Sequence, residues 1–291
     1  MHIIPHYKVD TTRWDALVYA NERVPYDYSW YLSTVSEYWY LYVNEEYTKG
    51  FAFSTSKRLG IENITVAPFV REQQLYGSWT SQEVETACSK LKAKFKGGIF
   101  QTNFPLDGVR RSYQVVTELK LEKHAERNIQ KALKNELSVV DSVDIATSFQ
   151  ILAEELGEKI PGFDSEKQQL LYHLFATLKE RNLLIVKEIR HHNTVVGGLF
   201  FYKGKERDVY IKGGANEIGK KWGGMYLAMQ LQIQATLSNG KLFDFDGSEV
   251  PGVKRFNQYF GTEDHFYYQI SWNKNPLWYN ALRKTYLKLK K

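Results

Sequence analysis

One cysteine, Cys88, stands in a chain of 291 residues. No intrachain disulfide can form, and a zinc site built on thiolates is excluded. The seven histidines show no metal-ligand spacing. No Ser-His-Asp or Cys-His arrangement is visible, and a buried, inert thiol is the expectation for Cys88. No apolar run reaches the roughly 18 residues of a membrane-spanning helix. The opening stretch MHIIPHYKVD lacks a charged head followed by an apolar segment, so a secretory signal is not expected. These absences point to a soluble, cytoplasmic protein. No low-complexity linker divides the chain.

What is present is ordinary in bulk and unusual in detail. Hydrophobic residues make up 43% and charged residues 25%, the composition of a globular chain rather than a disordered one. The length allows one large domain or two ordinary ones. Lysine and arginine exceed aspartate and glutamate by 39 to 33, a net charge of +6 that suits an anionic partner such as a nucleotide, coenzyme A or tRNA without demanding one. Aromatic residues reach 15%, with 20 Tyr, 16 Phe and 7 Trp, and most are expected in the core, because large rings bury much area each.

Hydrophobic periodicity splits the chain into two halves, 1–120 and 121–291. In the first, Tyr38 to Val43 and Gly50 to Ser54 read as a hairpin and Ile64 to Val66 as a short strand. Ser81 to Phe95 reads as an amphipathic helix with Val84, Ala87, Cys88, Leu91 and Phe95 on one face. In the second, a basic helix spans Glu122 to Lys134 and a strand Leu137 to Asp141. Helices follow over Ile145 to Leu156, stopped by Gly157, and from Ser165, where Ser165 and Gln168 form a capping box. Three successive strands, a helix from Met225 and a strand from Leu242 complete the pattern. That last strand should lie parallel to the one before the helix, through a right-handed crossover. The halves share no sequence repeat, but their element order is similar.

The stretch from Asp208 to Gly261 carries the chemistry. A strand feeds a glycine-rich, basic loop from Gly213 through Gly219, Lys220, Lys221, Gly223 and Gly224, and a helix follows. Such a loop can hold phosphate: first-turn amides point outward, the helix dipole favours an anion, and missing Cβ atoms permit close approach. The same glycines would also serve tight turns alone. Downstream run Gly240, Asp244-Phe245, Gly247, Lys254-Arg255-Phe256 and Phe260-Gly261. With the basic helix at Glu126 to Lys134, this order resembles the Fem family of non-ribosomal peptidyltransferases within the GNAT acyltransferase superfamily. The resemblance covers roughly 121–261 and is weak before it. It implies two tandem GNAT-like α/β domains with mixed sheets, the second carrying the donor loop.

The resemblance further implies acyl or aminoacyl transfer from acyl-CoA or aminoacyl-tRNA, as a co-substrate and not as a tightly bound cofactor, to an amine acceptor of the peptidoglycan-precursor type. tRNA is a candidate partner and DNA is not. The loop departs from the superfamily pattern at Met225, where a small residue is usual, and the chain lacks the helical-hairpin insertion of some members. Among the residues, Asp244 and Asp246 alternate around Phe245 and with Glu249 put carboxylates at a strand end, where one could orient or deprotonate an amine; Asp246-Gly247 is first a turn signal. Lys254 joins them as a catalytic candidate. Lys212, Arg255 and Phe256, with the loop residues, are donor-binding candidates, since arginine suits phosphate. A non-catalytic protein that binds an anionic ligand or nucleic acid remains the alternative.

Overall fold

The computed structural model describes residues 1–160, 162–247 and 250–289 and forms two compact units, 1–111 with 266–291, and 112–265. In the first, β1 (His2–Pro5), α1 (Thr11–Ala20), α2 (Ser29–Val35), β2 (Tyr38–Val43), β3 (Gly50–Arg58), β4 (Ile61–Thr65), α3 (Ser81–Lys94) and β5 (Gly97–Thr102) follow in order. The second begins within β6 (Val109–Val116) and continues with α4 (Lys123–Lys134), β7 (Leu137–Asp141), α5 (Ala146–Lys159), α6 (Ser165–Glu180), β8 (Leu184–His191), β9 (Thr194–Lys203) and β10 (Arg207–Ala215). Then come α7 (Glu217–Lys221), α8 (Gly224–Ser238), β11 (Leu242–Asp244) and α9 (Pro251–Gln258), after which β12 (Glu263–Asn273) and α10 (Leu277–Leu289) lead back to the first unit.

Each unit builds the same arrangement. In the first, β1, β2, β3 and β4 pair antiparallel in sequence, and β4 then meets β5 in parallel at Ile64 and Gly98. In the second, β7, β8, β9 and β10 pair antiparallel, and β10 meets β11 in parallel. Helix α3 supplies the crossover in the first unit and α8 in the second. The similar element order expected for the halves is therefore a similar topology. The boundary expected at 120/121 does not coincide with these units: β12 pairs with β5 from Tyr268 to Asn273, and the Asn63 side chain donates to the Tyr279 hydroxyl on α10 at 3.0 Å.

The cores follow from the period of each element. Val84, Ala87, Cys88 and Leu91 of α3 pack with Phe51, Phe53, Phe95 and Phe100, and a capping box between Thr80 and Glu83 starts that helix. In the second unit Leu227, Ala228 and Ile233 of α8 pack on Leu199, Phe201 and Phe243. The helix expected from Ser165 starts there, but its cap is Asp164, whose carboxylate accepts from the Lys167 amide at 3.2 Å. Gly157 does not stop α5, which runs through it to Lys159.

Candidate functional site

Strands β10 and β11 define the site by where they stop pairing. Their parallel ladder joins Arg207, Asp208 and Val209 to Leu242, Phe243 and Asp244, and ends there. The Phe245 amide donates instead to the Gln114 carbonyl on β6 at 2.9 Å. On its other side β10 stays paired with β9 as far as Ala215, with a bulge between Tyr210 and Lys212. A bulge adds a residue on one strand and increases its local twist. The parallel pair thus parts beyond Val209 and Asp244, with Tyr210 and Lys212 on one strand and Phe245 and Asp246 following the other. Tyr210 is half-buried, and desolvation raises its hydroxyl pKa well above the usual value, with the charge of Glu155 adding to the effect.

The basic loop expected from Gly213 to Gly224 is mostly regular structure. Strand β10 takes it to Ala215, and α7 occupies Glu217–Lys221. The Asn216 side chain caps α7 by accepting from the Gly219 amide at 3.1 Å. Gly223 has φ +80°, and α8 begins at Gly224 with no side-chain cap. Gly219, Gly223 and Gly224 of the expected phosphate loop are also packing positions. A Cβ on Gly219 would lie 2.7 Å from the Val196 carbonyl oxygen, on Gly223 2.4 Å from that of Asn128, and on Gly224 2.8 Å from Ile189 Cγ2. Lys220 is engaged by Glu155 at 3.5 Å and Glu217 at 3.3 Å, whereas Lys221 is exposed. Lys212 is half-buried and has no ion pair among the described residues.

The downstream candidates separate into two groups. Asp244 is fully buried and pairs with Arg207 Nη1 at 3.1 Å, and its Oδ1 accepts from the Asp246 amide at 2.8 Å. It anchors the strand end from inside the core. The strand stops at Asp244, so Asp246 does not share its face as expected; with φ +60° it opens a turn, and a Cβ on Gly247 would meet that of Tyr113 at 2.8 Å. Glu249 lies outside the described residues. Lys254 donates to the Ser112 hydroxyl at 3.0 Å and pairs with Asp264 at 3.3 Å. Arg255 pairs with Glu122 at 3.0 Å and lies over the Tyr259 ring at 4.7 Å, and the Phe256 ring sits 4.9 Å from that of Tyr226.

Sequence reasoning missed a buried polar network beside Lys254. Gln114, fully buried on β6, donates to Asp264 at 3.0 Å and accepts from Asn257 at 3.2 Å. The Gln114 hydrogen bond, with Lys254 adding to it, holds the Asp264 carboxyl below its usual pKa, so it is charged at neutral pH. Glu155 was also missed; its Oε2 accepts from the Ala215 amide at 2.7 Å, at the end of β10. In the sequence it is an ordinary glutamate on a helix and carries no signal. Among the described residues no cluster could hold a metal ion, and no helix is long and apolar enough to cross a membrane.

No protein-family profile matches the sequence, and no curated protein matches it. Solved structures do match. FemX aligns with a TM-score of 0.62 at 10% identity, over 93% of this chain and 98% of that one. The C-terminal domain of a putative lysylphosphatidylglycerol synthetase from Agrobacterium fabrum gives 0.56 at 10% identity, over 92% of each chain. A tandem GNAT protein from the clavulanic acid biosynthesis pathway gives 0.52 at 8% identity, over 94% of this chain and 99% of that one. The chain therefore shares the fold of these structures, a Fem-like fold like that of the tandem GNAT protein.

Proposed function

We propose that the protein is an acyltransferase that moves an acyl or aminoacyl group from acyl-CoA or aminoacyl-tRNA to an amine. The observation that carries this reading is the parallel ladder of β10 and β11 that ends at Val209 and Asp244 while β10, bulged at Tyr210, runs on to Ala215. An edge released from its ladder can pair with the amide groups of an extended carrier arm, as an added strand would. The carrier's phosphates then lie toward the start of α8, with Lys212 and Lys221 as counter-charges. The glycines at 219, 223 and 224 serve this arrangement by letting α7 and α8 seat closely, not by touching phosphate.

The chemistry needs few side chains. The amine nitrogen bonds to the carbonyl carbon, a tetrahedral oxyanion forms, and the thiolate or ribose oxygen leaves with the proton the amine gives up. A backbone amide of the freed strand stabilises the oxyanion. Asp246, just past the strand end, orients the amine, and Lys254 with Asp264 fixes the neighbouring surface. The Fem resemblance supplies the acceptor class, an amine of a peptidoglycan precursor, and the expected site of action is the cytoplasm. A thermal-shift screen of acyl-CoAs and a charged-tRNA analogue, followed by a transfer assay on the hit, tests this. One donor class stabilises the protein, and Lys212→Met weakens that donor without moving the melting temperature of the free protein. Stabilisation by neither class refutes the reading, and binding without product favours the non-catalytic alternative.

A further inference from the structure

Basic residues and exposed apolar side chains fall on one C-terminal stretch of the first unit. Residues 266–291 contain Lys274, Arg283, Lys284, Lys288, Lys290 and Lys291 and no acidic residue. Taking these six from 39 leaves 33 basic against 33 acidic residues, so the whole net charge of +6 resides in this stretch. On the same stretch α10 exposes large apolar side chains: Leu277 is 88% exposed, Trp278 52% and Leu282 52%. Beside them lies the turn between β3 and β4, where Leu59 is 62% exposed. Arg58, Leu59, Tyr279, Leu282 and Arg283 line a hollow of about 550 Å³.

Leu59 is an independent sign of use. It sits at φ +50°, followed by Gly60 at φ +76°, in a two-residue turn. Both positions favour asparagine or glycine, because a Cβ strains the left-handed conformation. A leucine there costs stability and also exposes apolar surface. The chain keeps it beside a helix that exposes three more large apolar groups, and surfaces of this kind mark interaction sites.

We propose that this face docks onto an anionic lipid bilayer. Leucine and tryptophan at the level of the headgroups bury apolar area in the acyl boundary, and Arg58 and Arg283, which line the same hollow, meet the lipid phosphates. The charge decides against a second copy of this chain, since two such faces repel. The aliphatic side chains decide against nucleic acid, to whose phosphates Leu59, Leu277 and Leu282 offer nothing. The inference does not depend on the transferase reading.

Co-sedimentation of the full chain with vesicles tests it. Vesicles of equal parts phosphatidylglycerol and phosphatidylcholine bind the protein, vesicles of phosphatidylcholine alone bind it at least about tenfold more weakly, and raising salt weakens the binding further. Arg283→Glu and the double variant Leu277→Asp, Trp278→Ala each lower affinity for the mixed vesicles by about tenfold or more, with unchanged melting temperature. Leu59→Asn is the sharpest variant, because it relieves the strained turn and so raises the melting temperature while lowering vesicle affinity. The proposal is overturned by absent binding, by equal binding to neutral vesicles or by full affinity in these variants. It is equally overturned if the variants instead abolish self-association on size exclusion or binding to single-stranded RNA.

Discussion

Gly223 joins α7 to α8, and replacing it with alanine measures how tightly the start of α8 is seated. Two costs add. At φ +80° a Cβ forces a left-handed conformation worth about 1–2 kcal/mol. The same Cβ lies 2.4 Å from the Asn128 carbonyl oxygen and 3.0 Å from its carbonyl carbon, both backbone of α4, which cannot rotate away. Overpacking of this kind adds about 1–3 kcal/mol. Gly240 is the control. Its φ is +71°, but a Cβ there has nothing within 4 Å, so Gly240→Ala carries the conformational cost alone. At roughly 2–4 °C per kcal/mol for a unit of this size, calorimetry should show Gly223→Ala melting about 4–20 °C below the parent and Gly240→Ala about 2–8 °C below. Equal shifts for the two variants would refute the close seating of α8 on α4, and the site's geometry with it. Donor binding should weaken in Gly223→Ala and not in Gly240→Ala.

Two further perturbations probe the interior. Arg207→Ala leaves the fully buried Asp244 carboxylate without its ion-pair partner and should cost about 3–5 kcal/mol in urea unfolding, whereas replacing both partners with apolar residues costs less. Asp27, buried against Tyr76 and the Gln74 amide, has its carboxyl pKa pushed up to about 8, chiefly by desolvation. The native protein therefore keeps a proton that the unfolded chain releases near 3.8, so stability falls as pH rises from about 4 to about 8. Asp27→Asn should flatten that slope and stabilise the protein by a few kcal/mol at pH 8, with little effect at pH 4, read from melting temperatures across the range.

Local patterning carried much of the fold. The antiparallel meander from Leu184 to Ala215, the helix through Ile233 and the parallel return at Leu242 were legible because each element keeps its own period, and the crossover rule then fixes the direction of β11. The division into units was not legible, because pairing of Tyr268 with Thr102 spans most of the chain and leaves no local trace. The site was legible as a place rather than as roles. The glycines at 219, 223 and 224 marked the α7–α8 junction, but their spacing cannot distinguish a phosphate cradle from a carbonyl pressed against Cα. Asp244 and Asp246 look equivalent around Phe245, yet one is sealed against Arg207 and the other opens a left-handed turn. Asp27, in Pro-Tyr-Asp-Tyr, gave no sign of burial, because its partners Gln74 and Tyr76 come from a distant loop.

The route of the chain sets an order of events during synthesis. Strand β5 leaves the ribosome long before β12, its neighbour from Tyr268 to Asn273. Until then Gly97 to Thr102 present an unpaired edge, which is a template for aggregation. Of the two units, the one translated first is thus the last to be finished, and a nascent chain halted after α9 should aggregate through that open flank more readily than the full chain.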